Sequence, residues 1–148
     1  MMRLVKHILK IKGNDVYATT MDTSVFDAIK QMSDKGVGAL LVIEAGKLVG
    51  ILSERDYTRK VILKGRSSKE TPVKEIMSAP VIYTTPDESI EQCMALMTAK
   101  HIRHLPVIDE GRVTGVISIG DLVKSIIAQQ EVWIQELENH VLKHTSIV

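Results

Sequence analysis

At 148 residues with 45% hydrophobic side chains, the chain has length for one or two small domains and apolar content for a packed core. Its 19 Lys and Arg against 18 Asp and Glu leave a formal charge of +1 with histidine neutral, so no charge excess drives it to nucleic acid or anionic membrane. The lone cysteine, Cys93, can close no intrachain disulfide and build no thiolate cage, and no apolar run nears the roughly 20 residues of a membrane span.

The opening Met1-Met2-Arg3-Leu4-Val5-Lys6-His7 lacks the apolar block and cleavage site of a signal peptide, and a cytoplasmic protein is expected. Val5 to Leu9 form a short apolar segment, followed by a first strand near Val16. Val25, Ala28, Ile29 and Met32 then follow the i, i+3, i+4, i+7 spacing of an amphipathic helix, with Asp22 as candidate N-cap and Gly36 as candidate C-cap. The apolar runs Ala39 to Ile43 and Leu48 to Leu52 flank Glu44-Ala45-Gly46-Lys47, which predicts a β-hairpin. Ser53-Glu54-Arg55-Asp56 opens a second helix ending near Gly65. A linker follows, and Thr71-Pro72 restarts helix into Val73 to Met77 in the N-cap and N1 pattern.

The same order then recurs. Laying residue n on residue n+65 from Val16 to Ile62 matches about 15 of about 47 positions without a gap, including Thr19-Thr20 on Thr84-Thr85, Gly50 on Gly115, Ser53 on Ser118 and Asp56 on Asp121. Val5 to Leu9 match Val73 to Met77 at an offset of 68, which implies three extra residues around Lys12 to Asp15. In the second copy Asp87 is the candidate N-cap and His101 offers no counterpart to Gly36. Ile90, Cys93, Met94 and Met97 make the apolar stripe, which places Cys93 in the core. Pro106 lacks a backbone donor, so its strand lies at an edge or starts there. Past residue 127, Ile126, Trp133, Leu137 and Val141 keep one helix face apolar, which either folds back on the core or forms a subunit interface.

The fold class expected is α+β, two tandem β-α-β-β-α repeats about a pseudo-twofold axis plus an extended C-terminal helix. The boundaries are 4–65 for repeat 1, 66–71 for the linker, 72–128 for repeat 2 and 129–148 for the helical extension. Pseudo-symmetry predicts two related clefts. Each holds a helix N-terminus, where free N–H groups favour an anion, beside Asp56 or Asp121, whose oxygens can take hydrogen bonds from a vicinal diol. Ser-x-x-Asp is also a helix capping box, so both readings stand on spacing alone; the recurrence of Gly50-Ile51-Leu52 and Gly115-Val116-Ile117 ahead of it favours a ligand role.

Val-x-x-Thr-Thr-x-Asp-x-Ser, an apolar Leu-x-Val-Ile strand, a Gly turn and Gly-(Ile/Val)-(Leu/Ile)-Ser-x-x-Asp, each present twice, resemble the cystathionine β-synthase (CBS) domain pair, or Bateman module. The likeness is to stand-alone pairs. It implies a regulatory module, with no catalytic cofactor, that binds an adenosine-containing ligand such as AMP, ADP, ATP, NAD or S-adenosylmethionine between the repeats. It further implies a homodimer and an unidentified regulated protein. Carried over, Ser53 and Asp56 hold phosphate side and ribose, Ala79, Pro80, Val81 and Ile102 line the adenine, and Arg103 and His104, with Arg55 and Arg59 nearby, contact phosphate. The second site pairs Ser118 and Asp121 with Val16, Tyr17, Val37, Gly38 and Ala39. There Gly38-Ala39 replaces Arg103-His104 and Ile119-Gly120 replaces Glu54-Arg55, so it lacks nearby cations and is expected to bind phosphate less well or stay empty.

Plainer readings exist for the same residues. Arg103 and His104 also suit a solvated strand edge, and Arg55, Arg59 and Lys60 a wet helix face. His101 with His104, and His140 with His144, have metal-like spacings without an evident third ligand. Nothing forms a nucleophile with a base and an orienting group, so no enzyme is expected. A structural module docking a partner through the C-terminal helix is the alternative.

Overall fold

In the computed structural model, which describes residues 3–145 with side chains as far as residue 142, the chain runs α1 (Val5–Lys12), β1 (Ala18–Thr19), α2 (Val25–Lys35), β2 (Ala39–Glu44), β3 (Lys47–Ser53) and α3 (Glu54–Tyr57). A π-helical turn (Thr58–Ile62) and a 3₁₀ turn (Val73–Glu75) follow, then α4 (Ile90–Lys100), β4 (His104–Asp109), β5 (Arg112–Ser118) and α5 (Ile119–Thr145). The α+β repeat architecture expected from the sequence is present, together with the long C-terminal helix. No helix among the described residues is long and apolar enough to cross a membrane. The side chain of His144 lies outside the described residues.

Both hairpins turn through two residues at positive φ, Ala45 (50°) with Gly46 (76°), and Glu110 (50°) with Gly111 (78°). That pair of left-handed residues matches the twist of the flanking strands. Helix caps differ from expectation. Ser24 and Ser89, not Asp22 and Asp87, accept the N–H of Asp27 and Gln92; both aspartates are exposed and pair with Lys74 and Lys6 instead. A serine one residue before the helix reaches the N3 amide, whereas an aspartate three residues before it does not. His101 closes α4 at φ 55°, as Gly36 closes α2 at φ 66°, so the second copy does have a left-handed cap. The restart at Thr71-Pro72 makes only one 3₁₀ turn, with Pro72 as its N-cap.

Among the described residues, β1, β2 and β3 form one sheet, whereas the second holds only β4 and β5 plus a single bridge from Thr84 to Val107. Pro106 accounts for the difference. In repeat 1 the Leu41 N–H donates to the Tyr17 carbonyl; at the equivalent position Pro106 has no N–H, so the bond to Ile82 is lost and the strand shrinks to the bridge at Thr84. Pro106 thus lies inside β4, with its vacant donor side on the edge away from β5.

The segments before each repeat are exchanged. Val5, Ile8 and Leu9 of α1 lie in one core with Ile90, Cys93, Met97, Leu105, Val107, Ile117 and Leu122 of repeat 2. Val73 and Ile76 complete the repeat 1 core of Val25, Ala28, Met32, Leu40, Val42, Leu52 and Val61. Backbone hydrogen bonds repeat the crossing symmetrically: Val5 and Lys6 donate to Glu88 and Pro86, and Val73 and Lys74 donate to Thr23 and Met21. A Cβ on Gly115 would stand 2.7 Å from Leu9 Cδ2, and one on Gly50 would stand 2.5 Å from Met77 Sδ. The recurring glycines therefore seat the exchanged segments, and their recurrence says nothing about a ligand.

Candidate ligand clefts between the repeats

The loop from β3 into α3 presents Ser53 and Asp56 as a capping box. The Asp56 Oδ2 atom accepts from the Ser53 N–H (2.9 Å) and hydroxyl (3.0 Å), while the Ser53 Oγ atom accepts from the Asp56 N–H (3.2 Å). Capping occupies one carboxylate oxygen. The other, Oδ1, has Lys60 Nζ at 3.1 Å and the Ser78 hydroxyl at 3.5 Å. Lys60 is one helical turn beyond Asp56 and also donates to the Ile76 carbonyl (2.9 Å). The Asp56 side chain is 13% exposed, so its remaining lone pairs face a confined space.

That space is a cavity of about 420 Å³ between the α3 start and the segments 78–82 and 100–104 of repeat 2. Of the expected first-site residues, Ser53, Arg55, Asp56, Arg59, Pro80, Ile102, Arg103 and His104 line it. Ala79 and Val81 do not; Ser78 and Ile82, two residues either side of Pro80, do. Lys60, Lys100 and His101 also line it and were not among the expected ligand contacts. The lysines read as ordinary helix-surface charges until α3 and the end of α4 are brought together. Arg55 Nη1 donates to the His101 carbonyl (3.3 Å), tying the two repeats across the rim. Arg55, Arg59, Lys60, Lys100 and Arg103 outweigh Glu54 and Asp56, giving a cationic cleft around one partly buried carboxylate.

A second cavity of about 360 Å³ contains Tyr17, Val37, Gly38, Ala39, Ser118 and Asp121; Val16 is not part of its wall. Its capping box repeats the first, with Asp121 Oδ2 accepting from Ser118 N–H (2.8 Å) and Ser118 Oγ accepting from Asp121 N–H (3.2 Å). The expectation of a cleft without cations is corrected here. Lys12, the last residue of α1, places Nζ 2.6 Å from Asp121 Oδ2 and 2.7 Å from the Val116 carbonyl. Burial pushes the Asp121 carboxyl up, but hydrogen bonds from Lys12 and Ser118 outweigh it and hold the group below the usual carboxylate range. The three-residue shift between the 65 and 68 offsets falls at Lys12 to Asp15 and was the one signal that this segment departs from the repeat.

His104 lines both cavities, with Nε2 only 3.2 Å from the place a Cβ on Gly38 would occupy. Burial, then the charges of Lys12 and Arg103, push its imidazole below the ordinary histidine value, which favours the neutral ring. Cys93 is buried with Sγ 3.4 Å from the Thr84 hydroxyl, and burial pushes its thiol up, so it packs rather than reacts. Among the described residues, no three His, Cys, Asp or Glu are grouped to hold a metal ion.

The chain matches the CBS domain family over residues 5–62 and 73–128. It is 40% identical over 147 residues to the Arabidopsis thaliana CBS domain-containing protein CBSX3, mitochondrial, covering 93% of this chain and 71% of that one. A solved structure of a protein with CBS domains from Burkholderia ambifaria MC40-6 is 53% identical and superposes with a TM-score of 0.83, over 86% of this chain and 96% of that one. The CBS domain pair of protein MJ0100, solved with 5′-methylthioadenosine and S-adenosyl-L-methionine, is 26% identical with a TM-score of 0.74, over 87% and 99% of the two chains.

Proposed function

The chain belongs to the CBS domain family as a tandem, non-catalytic regulatory pair, and from that premise we propose that it binds an adenosine-containing ligand, AMP, ADP, ATP or NAD, in the cleft at Asp56. The observation that carries this reading is the division of labour on Asp56. Oδ2 is spent on the helix cap, and Oδ1 meets Lys60, which also donates to the Ile76 carbonyl, and the Ser78 hydroxyl at the edge of a cationic cavity. A ribose diol can donate to Oδ1 once Lys60 swings away, and the displaced ammonium, with Arg55, Arg59 and Arg103, can then meet phosphates. Capping and ligand binding use different oxygens and do not compete. The adenosyl ligands of the MJ0100 pair support the same chemistry.

The cleft at Asp121 is the weaker site in this reading, because Lys12 is the one lysine or arginine in its wall and is already engaged by Asp121 and the Val116 carbonyl, whereas five such side chains line the cleft at Asp56. The protein acts as a homodimer in the cytoplasm, where a reducing environment suits its buried free thiol. Nucleotide occupancy regulates a partner by resetting the repeats, to the extent that the ligand prefers one setting over another.

Thermal shift with AMP, ADP, ATP, NAD and S-adenosylmethionine tests the proposal. A ligand at about 100 times its dissociation constant adds roughly 2.7 kcal/mol of stability. Asp56→Ala is expected to cost about 1 kcal/mol in the cap and, separately, to weaken binding by the folded protein about tenfold or more. No shift with any compound would favour the second reading, a ligand-free interaction module, which the exposed apolar side of α5 supports.

A further inference from the structure

Among the described residues, His104 is the only side chain that lines both clefts; Gly38, the other residue they share, has none. The partition between the clefts is thus one imidazole set against a bare stretch of backbone. Each half of it is pinned to a helix start, since the Glu54 N–H donates to the Gly38 carbonyl (3.1 Å) and the Ile119 N–H to the Arg103 carbonyl (2.9 Å). The one buried polar side-chain atom without a hydrogen-bond partner among those residues is Ser125 Oγ. The ring nitrogens of His104, which no protein group bonds there, therefore stay open to solvent or ligand.

The charges around the ring decide what it can do. Lys12 at the end of α1 and Arg103 beside it in the chain oppose a proton on the imidazole, and burial opposes it further. Asp121 of α5 favours the proton but is already paired with Lys12. From α3 come Glu54, with its carboxyl carbon 4.0 Å from the place of a Gly38 Cβ, and Asp56, which its cap and Lys60 engage. Asp15 and Tyr17 line the other cleft. The arginines and lysines of the Asp56 cleft are charged before a ligand arrives, whereas a histidine can change its charge in answer to one. Of the two histidines in that wall, His101 is exposed and His104 half-buried, so a ligand's charge reaches His104 through less water. A phosphate monoester brings about −1.5 to −2 charge near pH 7, and its oxygens accept from an imidazolium N–H.

We propose that His104 takes up a proton from solvent when a phosphorylated ligand enters the cleft at Asp56, so that this cleft holds nucleotide more tightly as pH falls toward the histidine range. The inference rests on the nucleotide reading above and gives that site a pH response.

Titration calorimetry of the full chain with AMP, in buffers of different ionisation enthalpy, counts the protons. Near pH 7 the wild type is expected to take up roughly half a proton per AMP bound. His104→Gln keeps a hydrogen-bond donor but cannot titrate, and is expected to lose the uptake; His101→Gln is expected to keep it. Relative to His104→Gln, wild-type affinity for AMP should fall about threefold between about pH 6.5 and 8. The ring resonances of His104 give a readout that needs no variant, since saturating AMP should move the ring's titration upward by about one pH unit. AMP that binds without proton uptake, with the same uptake in His104→Gln, or with the ring titration unmoved would overturn the inference and leave the nucleotide reading standing. Uptake lost in His101→Gln instead would put the proton on His101 and overturn the inference too. AMP that fails to bind would overturn both.

Discussion

Three side chains set the chemistry of the clefts, and each makes a separate prediction. Arg103 is exposed at the rim of the Asp56 cleft. If it contacts phosphate, Arg103→Ala should weaken AMP and ATP by about tenfold while sparing adenosine, read by titration calorimetry; equal loss for all three would place it elsewhere. Lys12 is the counterweight to burial at Asp121. In Lys12→Ala the desolvation remains and the hydrogen bond goes, so the Asp121 carboxyl should titrate at higher pH than in the wild type, visible in its side-chain carbon shift. If Lys12 keeps ligand out of the second cleft, the same variant should raise the nucleotide stoichiometry above that of the wild type, read in the same titration. His104 carries the pH dependence. Its folded value is depressed below that of the unfolded chain, so between the two the unfolded chain binds the extra proton. Stability therefore falls as pH drops through that window. His104→Gln should flatten the slope of urea stability below about pH 6.5; an unchanged slope would mean other groups set it.

At the scale of elements, local signals were legible and exchanges between elements were not. The hairpins could be read because a two-residue turn with glycine second, flanked by apolar runs, admits few other structures. Asp56 could be placed at the wall of a cleft because its cap and that cleft share one loop. The aspartates at 22 and 87 misled because any acidic residue near a helix start resembles a cap, yet only the serine two positions later has the reach. Lys12 was missed because its partner lies 109 residues away, a separation on which periodicity is silent. Gly50 and Gly115 stood out as a pattern, and only the packing gives the reason. Gly115 has no positive φ in the structure, so its role is steric. Gly115→Ala should therefore cost about 1–3 kcal/mol by overpacking Leu9. Combined with Leu9→Ala it should cost less than the sum of the two single changes, because the smaller side chain vacates the contested space. A urea-denaturation double-mutant cycle with additive terms would separate the two positions.

For the molecule as a whole, the crossing of α1 and the Val73–Glu75 turn makes each repeat dependent on chain that its sequence position assigns to the other. Val73 and Ile76 are 0% and 1% exposed within the repeat 1 core. Burying a side chain of that kind contributes about 1.5–3 kcal/mol, so the two together approach the whole stability of a domain of some 60 residues, at ~0.05–0.15 kcal/mol per residue. Val5, Ile8 and Leu9 matter as much to repeat 2. Two consequences follow from one cause. The intact chain should unfold in a single transition, with calorimetric and van't Hoff enthalpies equal, although it holds two cores. A chain divided between Glu70 and Thr71 should give fragments that are each disordered by circular dichroism when alone, since 1–70 lacks Val73 and Ile76 and 71–148 lacks α1. Mixed, they should recover the native spectrum as a one-to-one complex, because the break leaves both exchanged segments attached to the fragment that delivers them. If 1–70 folds cooperatively alone, the exchange is an ornament of the fold and the two clefts lie between independent domains. If only the mixture folds, the clefts lie between bodies that cannot separate without unfolding, and a ligand there can shift their relative setting but never part them.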